Sequence, residues 1–301
     1  MGLILHIGMQ KTGTSALQYF LNENRDQLFQ DGFWYPALSE FCKVQFSGVS
    51  YHNCIAANLI SAPSAFQKVS DDELSVLRDM IERSDRSVIL SAEDFSRTLK
   101  LEKISQFTSG IDVSIIVYLR EQSEWLQSLY NQRNKILFSA ASDRLFHEDV
   151  LTPKDVFKFI VQERYAPLLR YDNLLDSWSS LSENIRVRIF SKEHFIDGDL
   201  ISDFIDAIGI TDAGRYKIPP RVNDNIANEW ITIIRETAAS EGADVARALM
   251  RRLAGASSRG AIDLSGSTRL LPEQIVQKVR SDYREHNERV AQKYFNRKDL
   301  F

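Results

Sequence analysis

The sequence predicts an α/β fold: a P-loop-type doubly wound parallel sheet flanked by helices, with a helical C-terminal extension. Three observations predict it. Apolar runs of strand length near 3–7, 87–90, 112–119 and 185–190 alternate with stretches of helical periodicity, the pattern of βα units feeding a parallel sheet. The first run ends in a two-glycine loop, Gly8-Met9-Gln10-Lys11-Thr12-Gly13, that leads into an amphipathic segment from Ser15. After Pro219-Pro220 no strand pattern returns. The expected organisation is therefore an α/β core over 1–215 and a helical extension over 216–301, packed on that core.

Bulk properties narrow the class. A chain of 301 residues can bury a large core. Its net charge of −4 supplies no global basic field for nucleic acid. Its two cysteines, Cys42 and Cys54, lie in no metal-ligand or disulfide-framework spacing. Two free thiols fit a reducing compartment. No signal peptide precedes the first strand, and no apolar run reaches membrane-spanning length. Gly2 is followed by His6 where a myristoylation motif needs Ser or Thr. The expected location is cytoplasmic.

Taken in order, Leu3 to Ile7 is a buried strand that breaks at Gly8. The helix after the loop carries Leu17, Phe20, Leu21, Leu28 and Phe29 on one stripe and stops at Asp31-Gly32. Phe33 to Tyr35 is a second strand, closed by Pro36, and 37–50 reads as a loop. A short helix is expected from His52 to Ile60, and another opens at Asp71-Asp72-Glu73, where acidic residues suit a helix N-terminus. Ser87 to Leu90 is a third strand. Asp112 to Leu119 is nearly continuous in apolar residues, which suits a central strand buried on both faces.

A helix follows Arg120 at once, with Trp125, Leu126, Leu129, Tyr130, Ile136 and Leu137 on one face. Thr152-Pro153 starts another, Thr152 as N-cap and Pro153 at the first position. Ile185 to Phe190 is a further strand, and Leu200 to Ile208 a helix stopped by Gly209. The Ser/Gly-rich stretch 256–268 reads as a mobile loop. The last helix, from Pro272, carries Val276, Val279, Tyr283, Val290 and Tyr294 as a docking stripe too short for a coiled coil.

Strand, glycine loop and helix together form a phosphate cradle. Loop and first-turn N–H groups point at the anion, and the helix dipole favours its charge. The spacing follows the nucleotide-binding pattern G-x-x-x-x-G-K-[ST] with one departure. Gly8, Gly13 and Ser15 hold their positions, but Thr14 replaces the lysine, and Lys11 lies inside the loop instead. The plain alternative is a glycine turn feeding a surface helix. In open α/β sheets ligands bind beyond the carboxyl ends of the strands, where the sequence puts Lys11, Glu93 and Arg120.

His6-Ile7-Gly8-Met9-Gln10-Lys11-Thr12-Gly13-Thr14-Ser15-Ala16-Leu17-Gln18 resembles the 5′-phosphosulfate loop of sulfotransferases that use PAPS (3′-phosphoadenosine 5′-phosphosulfate). Gln10 replaces their usual proline. The continuation Asn24-Arg25, Gly32 and Tyr35-Pro36 is similar to bacterial members acting on carbohydrates. Arg120, with Ser128 eight residues on, resembles the family's 3′-phosphate site. A guanidinium at a strand end offers a planar fork to phosphate oxygens; the plain alternatives are a salt bridge for Arg120 and a surface hydroxyl for Ser128.

The resemblance implies sulfuryl transfer from PAPS to an acceptor hydroxyl, the expected partners being carbohydrates, with no resident metal. Lys11 would stabilise the leaving group, with Lys11, Thr12, Gly13, Thr14 and Ser15 around the 5′-phosphate and Arg120 and Ser128 on the 3′-phosphate. It leaves the base open between two residues. His52 follows the second strand, where glycan sulfotransferases carry a catalytic glutamate, and an imidazole titrates near neutrality. Glu93 lies where the family has a base or a substrate-binding lysine. Their plain alternatives are a helix-start histidine and a capping carboxylate. His6, inside the first strand, reads as a core histidine, and Asn287 as a bond to a neighbouring loop. Two rival functions stay open. One is a P-loop kinase, with Asp94 as the metal-holding carboxylate; the other is a non-catalytic nucleotide-binding protein.

Overall fold

The computed structural model describes residues 2–42, 52–60, 67–137, 166–218, 227–264, 266 and 271–301. Five parallel strands form one sheet in the order β2-β3-β1-β4-β5. They are β1 (Leu3–His6), β2 (Phe33–Trp34), β3 (Ser87–Ser91), β4 (Val113–Leu119) and β5 (Ile185–Ile189). β1 lies between β3 and β4, Leu5 opposite Leu90 on one side and Ile115 on the other. The chain leaves β1 toward β2 and leaves β4 toward β5. The two connections diverge, so the topological switch point, where open sheets bind ligands, falls between the ends of β1 and β4.

Helices α1 (Thr14–Glu23) and α2 (Arg25–Gln30) follow β1. The single helix expected through to Asp31 is thus two. Asn24 interrupts it, donating from Nδ2 to the Phe20 carbonyl at 2.8 Å and the Lys217 carbonyl at 3.0 Å. The helices α3 (Asn53–Leu59), α4 (Asp71–Arg83) and α5 (Glu102–Thr108) come before β4. α6 (Gln122–Leu137), α7 (Ala166–Leu169) and α8 (Tyr171–Ser179) come between β4 and β5, and α9 (Leu200–Ile208) follows β5. The helix expected at Thr152-Pro153 lies outside the described residues.

Beyond these lie α10 (Asn228–Glu241), α11 (Ala243–Ser258) and α12 (Glu273–Phe295). α11 continues through Ser258, so the first residues of the loop expected over 256–268 are helical, while 265 and 267–268 lie outside the described residues. The apolar stripe of α12 is buried at Val276, Val279, Tyr283 and Val290.

Contacts divide the chain into two compact units: 1–120, 170–220 and 286–301 in one, 121–169 and 221–285 in the other. The end of α12 falls in the unit that carries the sheet. In that unit, side chains alternate across the sheet. Ile4, Ile89, Ile116 and Tyr118 join Leu17, Phe20 and Leu21 of α1 and Phe204, Ile205 and Ile208 of α9 in one core. Leu5, Leu90, Ile115 and Val117, on the other face, are equally buried, as a parallel sheet covered on both sides requires. In the other unit, Ile234 of α10 and Ala246 of α11 centre a small core with Leu249, Met250 and Leu253.

Candidate anion-binding and catalytic site

The loop after β1 stays sewn to β4 over its first residues. Ile7 N–H donates to the Ile116 carbonyl at 3.0 Å, and Tyr118 N–H to the Gly8 carbonyl at 2.8 Å. The chain then turns through three left-handed residues, Gly8 (φ 98°), Lys11 (φ 65°) and Gly13 (φ 76°). A side chain at Gly13 would run into Leu200 and come within 3.0 Å of Phe190, so the loop needs glycine there for space as well as for φ. Gly13 begins α1 by accepting at its carbonyl from Ala16 and Leu17 N–H. It makes no side-chain cap. The N–H groups of Thr14 and Ser15, in the first turn, have no intrahelical acceptor and suit an anion.

Arg120 follows β4 on the other side of the switch point. Its Nη1 donates to the Lys11 carbonyl at 3.0 Å, and its guanidinium lies 5.3 Å from the centre of the Phe190 ring. Its own carbonyl accepts from the Tyr171 hydroxyl at 2.6 Å. Lys11 and Arg120, far apart in sequence, thus stand on neighbouring strand ends, tied by a backbone contact.

Glu93 opens the helical turn Glu93–Arg97 after β3. Its Oε2 accepts from Thr14 Oγ1 at 2.7 Å. Burial raises the Glu93 pKa and Asp94 adds to the rise, while Thr14, Lys11 and Arg97 pull the other way. Asp94 itself is buried and paired with Arg97 at 3.1 Å. Gln10 Nε2 donates to the same carboxylate at 3.5 Å. The metal-holding carboxylate a kinase would need is thereby committed to an arginine. Among the described residues no cluster of three His, Cys, Asp or Glu is placed to hold a metal.

His52 does not face this space. It is buried, with Nδ1 accepting from Ser91 N–H at 3.1 Å and Nε2 donating to the Pro36 carbonyl at 2.9 Å. Both nitrogens are occupied by backbone, which fixes a neutral tautomer. Burial lowers its pKa to about 4, against the pull of the Pro36 carbonyl. Burial and two backbone partners set this imidazole apart from the loop, whereas a general base needs a nitrogen within reach of the acceptor's proton. His6 is a core histidine as expected, its Nδ1 2.7 Å from Ser91 Oγ and its pKa lowered by burial to about 3. Gln18 Nε2 closes the cluster on the Ser91 carbonyl at 3.2 Å.

The remaining expected residues divide. Ser15 is exposed in the first turn of α1, whereas Thr12 is buried and its hydroxyl donates inward to the Met9 carbonyl at 2.6 Å. Thr12 can therefore offer a ligand its N–H but not its hydroxyl. Ser128 is half-buried, two turns along α6, and belongs to the other compact unit from Arg120. Sequence reasoning missed Phe190, Leu200 and Tyr171, which shape and fix the loop and Arg120. No spacing signal marks them, because each reaches the site from a distant element.

No protein-family model matches the chain. An uncharacterised protein of Archaeoglobus fulgidus is 27% identical over 222 residues, 71% of this chain and 55% of its own length. The chain thus spans about half the length of that relative. The crystal structure of a sulfotransferase from Alicyclobacillus acidocaldarius is similar at a TM-score of 0.45 with 14% identity, over 81% of this chain and 92% of that one.

Proposed function

We propose that the chain transfers the sulfuryl group of PAPS to a hydroxyl of an acceptor, a carbohydrate by its sequence resemblance to bacterial sulfotransferases. The observation that carries this reading is the pair of cations at the β1/β4 switch point. Lys11 lies within a glycine loop that opens α1, and Arg120 bonds to that loop's backbone. A nucleotide phosphorylated at both 5′ and 3′ positions needs two anion sites; ATP needs one continuous cradle and a lysine at position 14, where this chain has threonine.

In this reading the Gly13–Ser15 backbone receives the 5′-phosphate and Arg120 the 3′-phosphate. The acceptor oxygen attacks sulfur in line, and its proton passes to the Glu93 carboxylate. The bond between sulfur and the bridging oxygen breaks, and its electron pair stays on the departing bisphosphate. Lys11 stabilises that developing charge, much as cations do in phosphoryl transfer. Glu93 replaces His52 as the base because it is only partly buried, stands beside the loop through Thr14, and burial already raises its pKa. The protein's own cations and dipoles hold the bisphosphate in this scheme, with no metal. Two buried cysteines outside any disulfide accord with a cytoplasmic setting.

Calorimetric titration with PAP (the desulfated product), ATP and GTP, each with and without Mg²⁺, tests the reading. Tight PAP binding independent of Mg²⁺ is expected. Mg²⁺-dependent ATP binding without PAP binding would replace it with the kinase, and PAP binding without transfer to any saccharide would favour a non-catalytic nucleotide-binding protein.

A further inference from the structure

Thr14 is engaged on two sides. It is the first residue of α1, beside the open N–H groups of the loop, and its hydroxyl donates to Glu93 Oε2 at 2.7 Å. A hydroxyl has one proton to give. A phosphate arriving at the first turn of α1 competes for that proton, and carboxylate and phosphate cannot both receive it.

We propose that Thr14 is a toggle: its hydroxyl holds Glu93 while the donor site is empty, turns to the 5′-phosphate when the donor enters, and so releases Glu93, which takes up a proton more readily and becomes a stronger base. This rests on the donor-site reading of the loop.

The charged groups around Glu93 explain the direction. The loop contributes the Thr14 hydroxyl and Lys11; its own turn contributes Asp94 and Arg97. Asp94 and Arg97 are paired with each other, and the toggle does not involve that pair. It involves the other two: Thr14 withdraws its hydrogen bond, and Lys11 is drawn to the bridging oxygen. A phosphate adds negative charge nearby. All three changes favour the protonated carboxyl. The base is thereby strengthened, and only when there is a donor to react with.

Proton counting on the full-length protein tests the toggle. PAP binding heats are measured in buffers of different ionisation heat, at pH 6 and pH 8, for wild type, Glu93→Gln, Thr14→Val and Thr14→Ser. Wild type is expected to take up more protons per PAP than Glu93→Gln. Its affinity relative to that variant should rise as pH falls from 8 to 6, by up to about tenfold for a pKa rise of about one. Thr14→Val should lose part of the excess, because its Glu93 is not held in the empty site, while Thr14→Ser keeps it.

Equal proton counts in wild type and Glu93→Gln, with PAP bound to both, would overturn the toggle and leave the donor site standing. A Thr14→Val count equal to wild type would show that charge alone moves Glu93 and would equally overturn it. Failure of PAP to bind any of the four proteins would remove the donor-site reading itself.

Discussion

The loop in front of the β3 end and the cluster behind it use polar residues in opposite ways. Behind, Ser91 meets His52 through its N–H, Gln18 through its carbonyl and His6 through its hydroxyl, all buried. Each contact answers a polar group with another, and both histidines are pushed toward neutrality by burial. In front, Gly13 leaves the start of α1 without a side-chain cap, and Glu93 is kept near Thr14 despite the cost of partial burial. For contrast within the same unit, α4 begins at Ser70 with a closed capping box to Glu73. Behind the strand the polar groups are held in the core; in front, the first turn of α1 carries only backbone N–H groups at its open end.

The sharpest test of that contrast is Lys11→Ala. Loss of the leaving-group cation should cost on the order of 10²–10³ in transfer rate. Stability should stay within about 0.5 kcal/mol of wild type, because no core contact is lost. Steady-state kinetics and a urea melt read the two sides, and a variant with near-normal turnover would erase the functional side of the comparison.

Next in size, Arg120→Ala should weaken PAP more than adenosine 5′-phosphosulfate, which lacks the 3′-phosphate. A charge-assisted contact of about 1.5–3 kcal/mol corresponds to roughly ten- to hundredfold. Calorimetry with both ligands decides it, and equal losses would assign Arg120 to another role.

Behind the strand, the expected effect is on stability. His52→Leu leaves Ser91 N–H and the Pro36 carbonyl without a partner, about 1–3 kcal/mol for each. His52→Gln can restore part of both. If His52 is a strut, the acidic limb of the kcat/KM profile survives in His52→Gln; its disappearance would return the base to His52. The same burial predicts a pH window. The folded pKa of His52, about 4, lies below the ordinary value of 6.5. Its contribution is therefore fully present above pH 6.5 and is lost as pH falls toward 4. Urea midpoints measured across that range should decline less steeply in His52→Gln.

The smallest effect has the opposite sign. The carboxyl of Glu93 is raised in the folded protein, so ionising it costs stability as pH rises through the folded value. Glu93→Gln should consequently melt slightly higher than wild type at pH 8 while losing transfer. A lower melting temperature at that pH would show that Glu93 is a structural partner of Thr14 and nothing more.

Much of the fold was legible because its signals are local. Apolar runs marked all five strands, Gly8 and Gly13 marked the loop, and Gly209 marked the end of α9, where it takes φ 89°. Local signals also erred locally, at the Asn24 break and at the end of α11, where a side-chain bond and continued helical hydrogen bonding outweighed composition.

What the sequence determined by itself was the order of strands and helices and the strand-end position of Lys11, Glu93 and Arg120, since backbone conformation and side-chain periodicity depend on near neighbours. Tertiary structure alone decided which partners those groups meet. His52 meets Ser91 across 39 residues, Thr14 meets Glu93 across 79, and Arg120 meets the Lys11 carbonyl across 109. Desolvation and hydrogen-bond satisfaction sum over every element packed around a group, and that sum buried a histidine expected to be a base between backbone partners and left a carboxylate beside the loop.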